Sequence, residues 1–103
     1  MQTYRGKALE KQIRKNPQLS SVISDLEKKI LPLNRQQMSA GGFQLEPIKH
    51  TNGDLWSLRV GRGPRMVCKI QPGDILELME LETHQEAYRN SSLVMLTAGL
   101  LQK

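Results

Sequence analysis

The stretch Leu55-Trp-Ser-Leu-Arg-Val60-Gly-Arg-Gly-Pro-Arg65-Met-Val-Cys-Lys-Ile70 decides the fold of this 103-residue chain. Trp56, Leu58 and Val60 alternate with polar residues, and Met66, Cys68 and Ile70 do the same, the period-2 pattern of two half-buried strands. Gly61-Arg62-Gly63 between them suits a three-residue hairpin loop with a glycine in the left-handed region. An odd loop pairs even-numbered with even-numbered residues, so both apolar sets meet on one face and Arg59, Arg65 and Lys69 share the other. An even loop would drive Arg65 and Lys69 into the apolar set, where desolvation opposes them.

Working outward, Gln71-Pro72-Gly73-Asp74 carries turn residues, and Ile75 to Leu81 is almost continuously apolar, a third strand whose register the turn leaves open. Upstream, Phe43 to Ile48 reads as a short strand limited by Pro47, and Asn34 to Gly42 reads as a polar loop ending in two glycines. Ala8, Leu9 and Ile13 form one apolar stripe, with Lys7, Lys11, Arg14 and Lys15 on another face of the same helix. Asn16-Pro17 breaks it, and Leu19, Val22, Ile23, Leu26 and Ile30 mark a second amphipathic helix that Leu31-Pro32 ends.

After Glu82, Thr83 to Arg89 reads as a capped helical turn that sets His84 and Tyr88 on one side. Ser91-Ser92 caps a final helix whose Leu93, Leu96, Leu100 and Leu101 pack on the sheet or on a partner. The expectation is one α+β domain over residues 1–103. Its N-terminal helical hairpin packs on an antiparallel sheet of about four strands, and a short C-terminal helix follows.

Fifteen Lys and Arg against ten Asp and Glu give a formal charge of +5, which attracts polyanions or an acidic protein partner. The single cysteine, Cys68, excludes an intramolecular disulfide framework, and no Cys/His spacing suggests structural zinc. The N-terminus lacks the apolar core of a secretory signal, and the apolar run Leu93 to Leu101 has about half the length of a membrane span. A reducing, cytoplasmic setting is therefore expected. No P-loop, GxGxxG, GxSxG or HExxH pattern occurs, so neither cofactor nor metal is expected.

The candidate chemistry is sparse. His84 and His50 are the only histidines, the side chains best placed to exchange protons near neutral pH. His84 follows a buried strand, where it is either a proton-transfer group or a surface residue capping a turn; His50, before Thr51-Asn52-Gly53-Asp54, is more often a loop residue. Arg59, Arg65 and Lys69 on one sheet face suit a phosphate and its developing charge, or form an ordinary solvated face. Tyr88 stacks on a base or anchors its turn to the sheet. Lys7, Lys11, Arg14 and Lys15 offer a weak ribosome or RNA-backbone contact, or are a solvated face. Trp56, the methionines and Cys68 are assigned to the core.

Three pieces now carry a family likeness: Leu-Trp-Ser-Leu-Arg-Val from Leu55, Gly-Pro-Arg-Met-Val-Cys-Lys-Ile from Gly63, and Ile-Leu-Glu-Leu-Met-Glu-Leu-Glu-Thr-His-Gln-Glu-Ala-Tyr from Ile75. They resemble the RelE/ParE superfamily of toxin-antitoxin toxins, and the last resembles its YafQ branch, with a His after the last strand. The helical hairpin ahead of the sheet fits the family's order, although its usual first strand is hard to see in Met1 to Arg5. The resemblance implies a ribosome-dependent messenger-RNA endonuclease with His84 in proton transfer, Arg65 on the phosphate and Tyr88 as the C-terminal aromatic. Arg59, Arg62 and Arg65 around the turn depart from the YafQ branch, which uses a His and an Asp there, and are closer to the arginine-rich RelE site. With them, Lys69 and His50 complete an RNA-binding set, and His50 is only a candidate for the unassigned general base. An antitoxin, expected to be acidic and from a neighbouring gene, would block the basic site. The alternatives are a ParE-like gyrase inhibitor, which cuts no RNA, and an inactive toxin-derived RNA- or partner-binding module.

Overall fold

A computed structural model describes residues 1–61 and 63–82; Arg62, His84, Tyr88 and the expected C-terminal helix lie outside the described residues. The elements are β1 (Thr3–Arg5), α1 (Lys7–Lys15), α2 (Leu19–Ile30), α3 (Arg35–Ala40), β2 (Glu46–Pro47), β3 (Trp56–Arg59), β4 (Arg65–Gln71) and β5 (Ile75–Glu82). The sheet order is β1-β5-β4-β3-β2. Among the described residues no helix is long and apolar enough to cross a membrane.

The β3–β4 hairpin has the register that the odd loop requires, with Trp56 opposite Cys68, Leu58 opposite Met66 and Arg59 opposite Arg65. Gly61 takes φ +70, the left-handed value that closes such a loop without a Cβ penalty. Leu58, Met66, Cys68, Leu76, Leu78 and Leu81 then face Leu9 of α1 and Ile23, Leu26 and Ile30 of α2, all buried in one core. Trp56 packs at the margin of that core, half-buried. Its indole Nε1 donates to the Gly53 carbonyl at 3.1 Å, and the Arg35 guanidinium lies 4.9 Å from its ring centroid. Ala8 is exposed, so the apolar stripe of α1 is carried by Leu9 and the half-buried Ile13.

Three expectations need correction. Among the described residues the sheet is mixed and has five strands, because β1 lies parallel to β5 with Thr3 opposite Leu76 and Arg5 opposite Leu78. Three residues, one of them the exposed Tyr4, give too short a run for alternation to show. The strand stays in place through side chains: Arg5 donates to Glu27 at 2.8 Å and to Ser24 at 3.2 Å on α2, and Tyr4 donates to Glu77 at 2.7 Å. Second, Asn34 to Gly42 is not a plain loop. Asn34 accepts the Gln37 N–H at 2.8 Å while the Gln37 side chain accepts the Asn34 N–H at 2.9 Å, a capping box that starts α3. Third, the strand expected over Phe43 to Ile48 contracts to Glu46–Pro47, opposite Ser57 and Trp56.

The register of β5 depends on one residue. Ile70 faces Leu76 and Cys68 faces Leu78, but Val67 faces Glu80, so Met79 is the extra residue of a β-bulge. The shift sends Leu81 to the core opposite Met66 and turns Glu80 and Glu82 to the other face, whereas unbroken alternation would bury both carboxylates and expose Leu81. That other face has its own apolar cluster of Ile48, Leu55, Val67 and Met79.

Beyond the bulge β1 has ended, and α1 takes over the backbone of β5. The Gln12 amide donates to the Leu81 carbonyl at 2.7 Å and accepts the Leu81 N–H at 2.9 Å, standing in for a missing strand. Gln12→Ala removes both hydrogen bonds, with an expected loss of about 1–3 kcal/mol in urea unfolding and faster amide exchange at Leu81. Unchanged exchange at Leu81 would show that the clamp does not hold the end of β5.

Candidate active site: a buried arginine on the sheet face

The site grows from the hairpin. Arg59 and Arg65 are cross-strand partners beside its loop, with Ser57 and Val67 one pair further down and Lys69 beyond them on the same face. This face is not simply solvated. Arg59 and Lys69 are half-buried, but Arg65 is only 5% exposed. Burying an arginine is costly unless hydrogen bonds replace its hydration, and among the described residues Ser57, Glu46 and Gln44 contribute to this. Arg65 Nη2 donates to Ser57 Oγ at 3.0 Å, to Glu46 Oε1 at 3.3 Å and to the Gln44 carbonyl at 3.5 Å.

Each partner is placed by local structure. Ser57 lies where β2 runs along β3, opposite Glu46, with Trp56 opposite Pro47. Gln44 takes φ +47, uncommon for a residue with a Cβ, and its carbonyl reaches the guanidinium from the segment entering β2. That segment is tied down on both sides: the Arg59 N–H donates to the Phe43 carbonyl at 2.6 Å, and the Leu45 N–H donates to the Met38 carbonyl of α3 at 3.0 Å. The result is a cation fixed in direction, flanked by Glu46, whose side chain is 59% exposed.

His50 sits in the turn between β2 and β3, exposed and with φ +67. The turn is braced by buried Thr51, whose hydroxyl donates to the Ile48 carbonyl at 2.8 Å and accepts the Leu55 N–H at 3.4 Å. It is also closed by the Ile48 N–H donating to the Leu55 carbonyl at 3.0 Å, which sets the offset that puts Glu46 over Ser57. Lys7, Lys11, Arg14 and Lys15 are all exposed on α1. Cys68 is fully buried in the core, and burial pushes its thiol far above the ordinary range, so it is no nucleophile.

Sequence reasoning missed two features of this face. Glu46 was hidden inside an expected strand, although an acidic residue just before Pro47 on an edge strand is the one signal available. Glu82 stands opposite Arg65 and Glu80 opposite Val67 because of the bulge. Partial burial, then the hydrogen bond and charge of Glu80, push the Glu82 carboxyl up to about 7. Among the described residues no cluster of His, Cys, Asp and Glu has the arrangement of a metal site.

The arrangement presents a cation held in direction by its hydrogen bonds with an exposed carboxylate beside it, a combination able to stabilise an anion. No family model and no curated protein matches the chain. Among solved structures it is similar to a YoeB/ParE toxin from Agrobacterium tumefaciens, with a TM-score of 0.52 and 22% sequence identity over 82% of this chain and 99% of that one. The likeness to RelE/ParE toxins read from the sequence is thus matched in the fold.

Proposed function

We propose, with the fold of a YoeB/ParE toxin as premise, that this chain is the toxin of a toxin-antitoxin pair and acts as a ribosome-dependent messenger-RNA endonuclease in the cytoplasm. The observation that carries the reading is Arg65, a cation buried on a sheet face and aimed by Ser57, Glu46 and Gln44. Binding a partner protein does not require a charge to be desolvated and held in this way, whereas stabilising the pentacoordinate phosphate of 2′-hydroxyl attack does.

In this mechanism Arg65, with Arg59 across the ladder and Lys69 further along β4, holds the scissile phosphate, and Arg62 of the loop sequence is a further phosphate-binding residue. His84 donates the proton to the leaving 5′-oxygen, and Tyr88 stacks on a base or orients the phosphate. For the base, the geometry favours Glu46 over His50: its carboxylate is exposed and already 3.3 Å from the guanidinium that would grip the phosphate. The reaction as drawn needs neither metal nor cofactor. The basic face of α1, with Lys7, Lys11, Arg14 and Lys15, contacts ribosomal RNA, and an acidic antitoxin covers the arginine face in the inactive complex.

Purified protein should cut messages held on programmed ribosomes, producing new 5′ ends visible by primer extension and none with free message. Intact message together with inhibition of gyrase supercoiling would replace this reading with the ParE-like one. Intact message and unaffected gyrase would leave a toxin-derived binding module.

A further inference from the structure

Glu80 and Glu82 are two carboxylates on the arginine face for which the cleavage reading has no use. They reach that face only through the Met79 bulge, with Glu82 across from Arg65 and Glu80 across from Val67. The guanidinium of Arg65 extends the other way, toward Ser57 on β3 and Glu46 on β2. The groups around the pair, among the described residues, are few. On β5 itself, Glu77 accepts from Tyr4 of β1 and Gln71 of β4. Lys69 of β4 stands opposite Glu77, and Arg59 of β3 lies across Arg65. From α1, Gln12 engages the Leu81 backbone between the two carboxylates. Among the described residues Glu80 is therefore the charged group that, after partial burial, makes the Glu82 carboxyl more easily protonated.

We infer that the Glu80–Glu82 pair makes docking of a phosphodiester backbone at the Arg59–Arg65 face proton-linked, the pair taking up one proton from solvent as the polyanion arrives. The inference rests on the RNA-cleavage reading of this face. The guanidinium lies on the β3 side of β4 and the pair on the β5 side, so a phosphate on Arg65 is about two strand spacings, roughly 10 Å, from the carboxylates. That is close to the Debye length of about 8 Å, and partial burial weakens the screening, so the phosphate and an ionised pair repel each other. The repulsion is relieved by protonation, because the carboxyl already titrates at about 7 and an added anion moves it higher. The sign follows: binding is strongest below that midpoint and weakens as pH rises through it, by up to about tenfold per pH unit for one linked proton.

The test is anisotropy titration of a short 2′-O-methyl RNA, which lacks the attacking hydroxyl, from about pH 6 to about pH 8.5 at constant ionic strength. It compares wild type, Glu82→Gln, Glu80→Gln and His84→Gln, each checked for folding by circular dichroism. Wild type should weaken by about tenfold over the range. Glu82→Gln, a permanently neutral mimic of the protonated form, should bind tightly with a flat profile, and Glu80→Gln should shift the midpoint down. His84→Gln should keep the wild-type slope. A slope that persists in Glu82→Gln, or vanishes in His84→Gln, overturns the inference. Tight binding by wild type that ignores pH overturns it and leaves the RNA reading standing, and so does an absence of binding by folded wild type at every pH, the RNA reading then being decided by the programmed-ribosome assay.

Discussion

His84→Gln is expected to slow cleavage of ribosome-bound message by about 10²–10⁴-fold, the share of catalysis that a positioned proton donor supplies. Without a metal, the 5′-oxygen leaves as an unstable alkoxide unless a proton reaches it as the bond breaks. Gln keeps the size and a hydrogen-bond donor but has no proton to give near neutral pH. In the proposed mechanism Arg65 would still stabilise the phosphorane in the variant, so activity should fall without vanishing. The described structure contains the launching point for this residue: β5 is clamped to α1 at Leu81, three residues before His84. Expressed in bacteria, the variant should lose both growth arrest and the new in-frame 5′ ends. Arrest that survives the substitution without new RNA ends would refute the nuclease reading.

The second large effect separates Arg65 from its carboxylate partner. Arg65→Ala removes charge-assisted hydrogen bonds to Ser57 and Glu46 from a nearly sealed position and should cost about 1–3 kcal/mol in urea unfolding. The cost stays below the roughly 3–5 kcal/mol of breaking a fully buried pair, because Glu46 is 59% exposed and recovers water. Cleavage should be lost with it, and Arg65→Lys should not restore it, since an ammonium lacks the planar fork. Glu46→Gln should change stability by less than about 1 kcal/mol, as for an exposed ion-pair partner. Its cleavage should nonetheless fall by about 10²-fold or more if the carboxylate takes the 2′-hydroxyl proton. Wild-type cleavage by Glu46→Gln would remove it as the base and return His50 to that role.

Much of the frame is legible in the amino-acid sequence. The odd Gly61-Arg62-Gly63 loop gave the hairpin register, because side-chain alternation and the cost of desolvating Arg65 and Lys69 among apolar residues point the same way. The same alternation put Cys68 inside. The capping box at Asn34 and Gln37 was available too, three residues apart, but a helix with one buried residue, Met38, has no apolar stripe to announce it. β1 left no pattern, because its place depends on a parallel edge and on Arg5 reaching Glu27 and Ser24 in another element.

The arginine face divides in the same way. That Arg59, Arg65 and Lys69 share one side of a sheet is a property of local sequence, set by a period of two and one loop length. That Arg65 is buried was decided by β2, a two-residue strand that reaches it only after the His50 turn folds back and sets Glu46 over Ser57. The outward turn of Glu80 and Glu82 was decided by the bulge at Met79, since an almost continuously apolar strand gives either face similar claims and the choice falls to what waits on each side. Leu81 finds Met66 on the core side while Gln12 holds its backbone at the strand edge, and the two carboxylates reach a face where water and cations remain within range. Local sequence determines which residues alternate together, because that is written in neighbouring dihedrals. Only tertiary packing decides which face is buried and how deeply, because desolvation depends on residues far away in the chain.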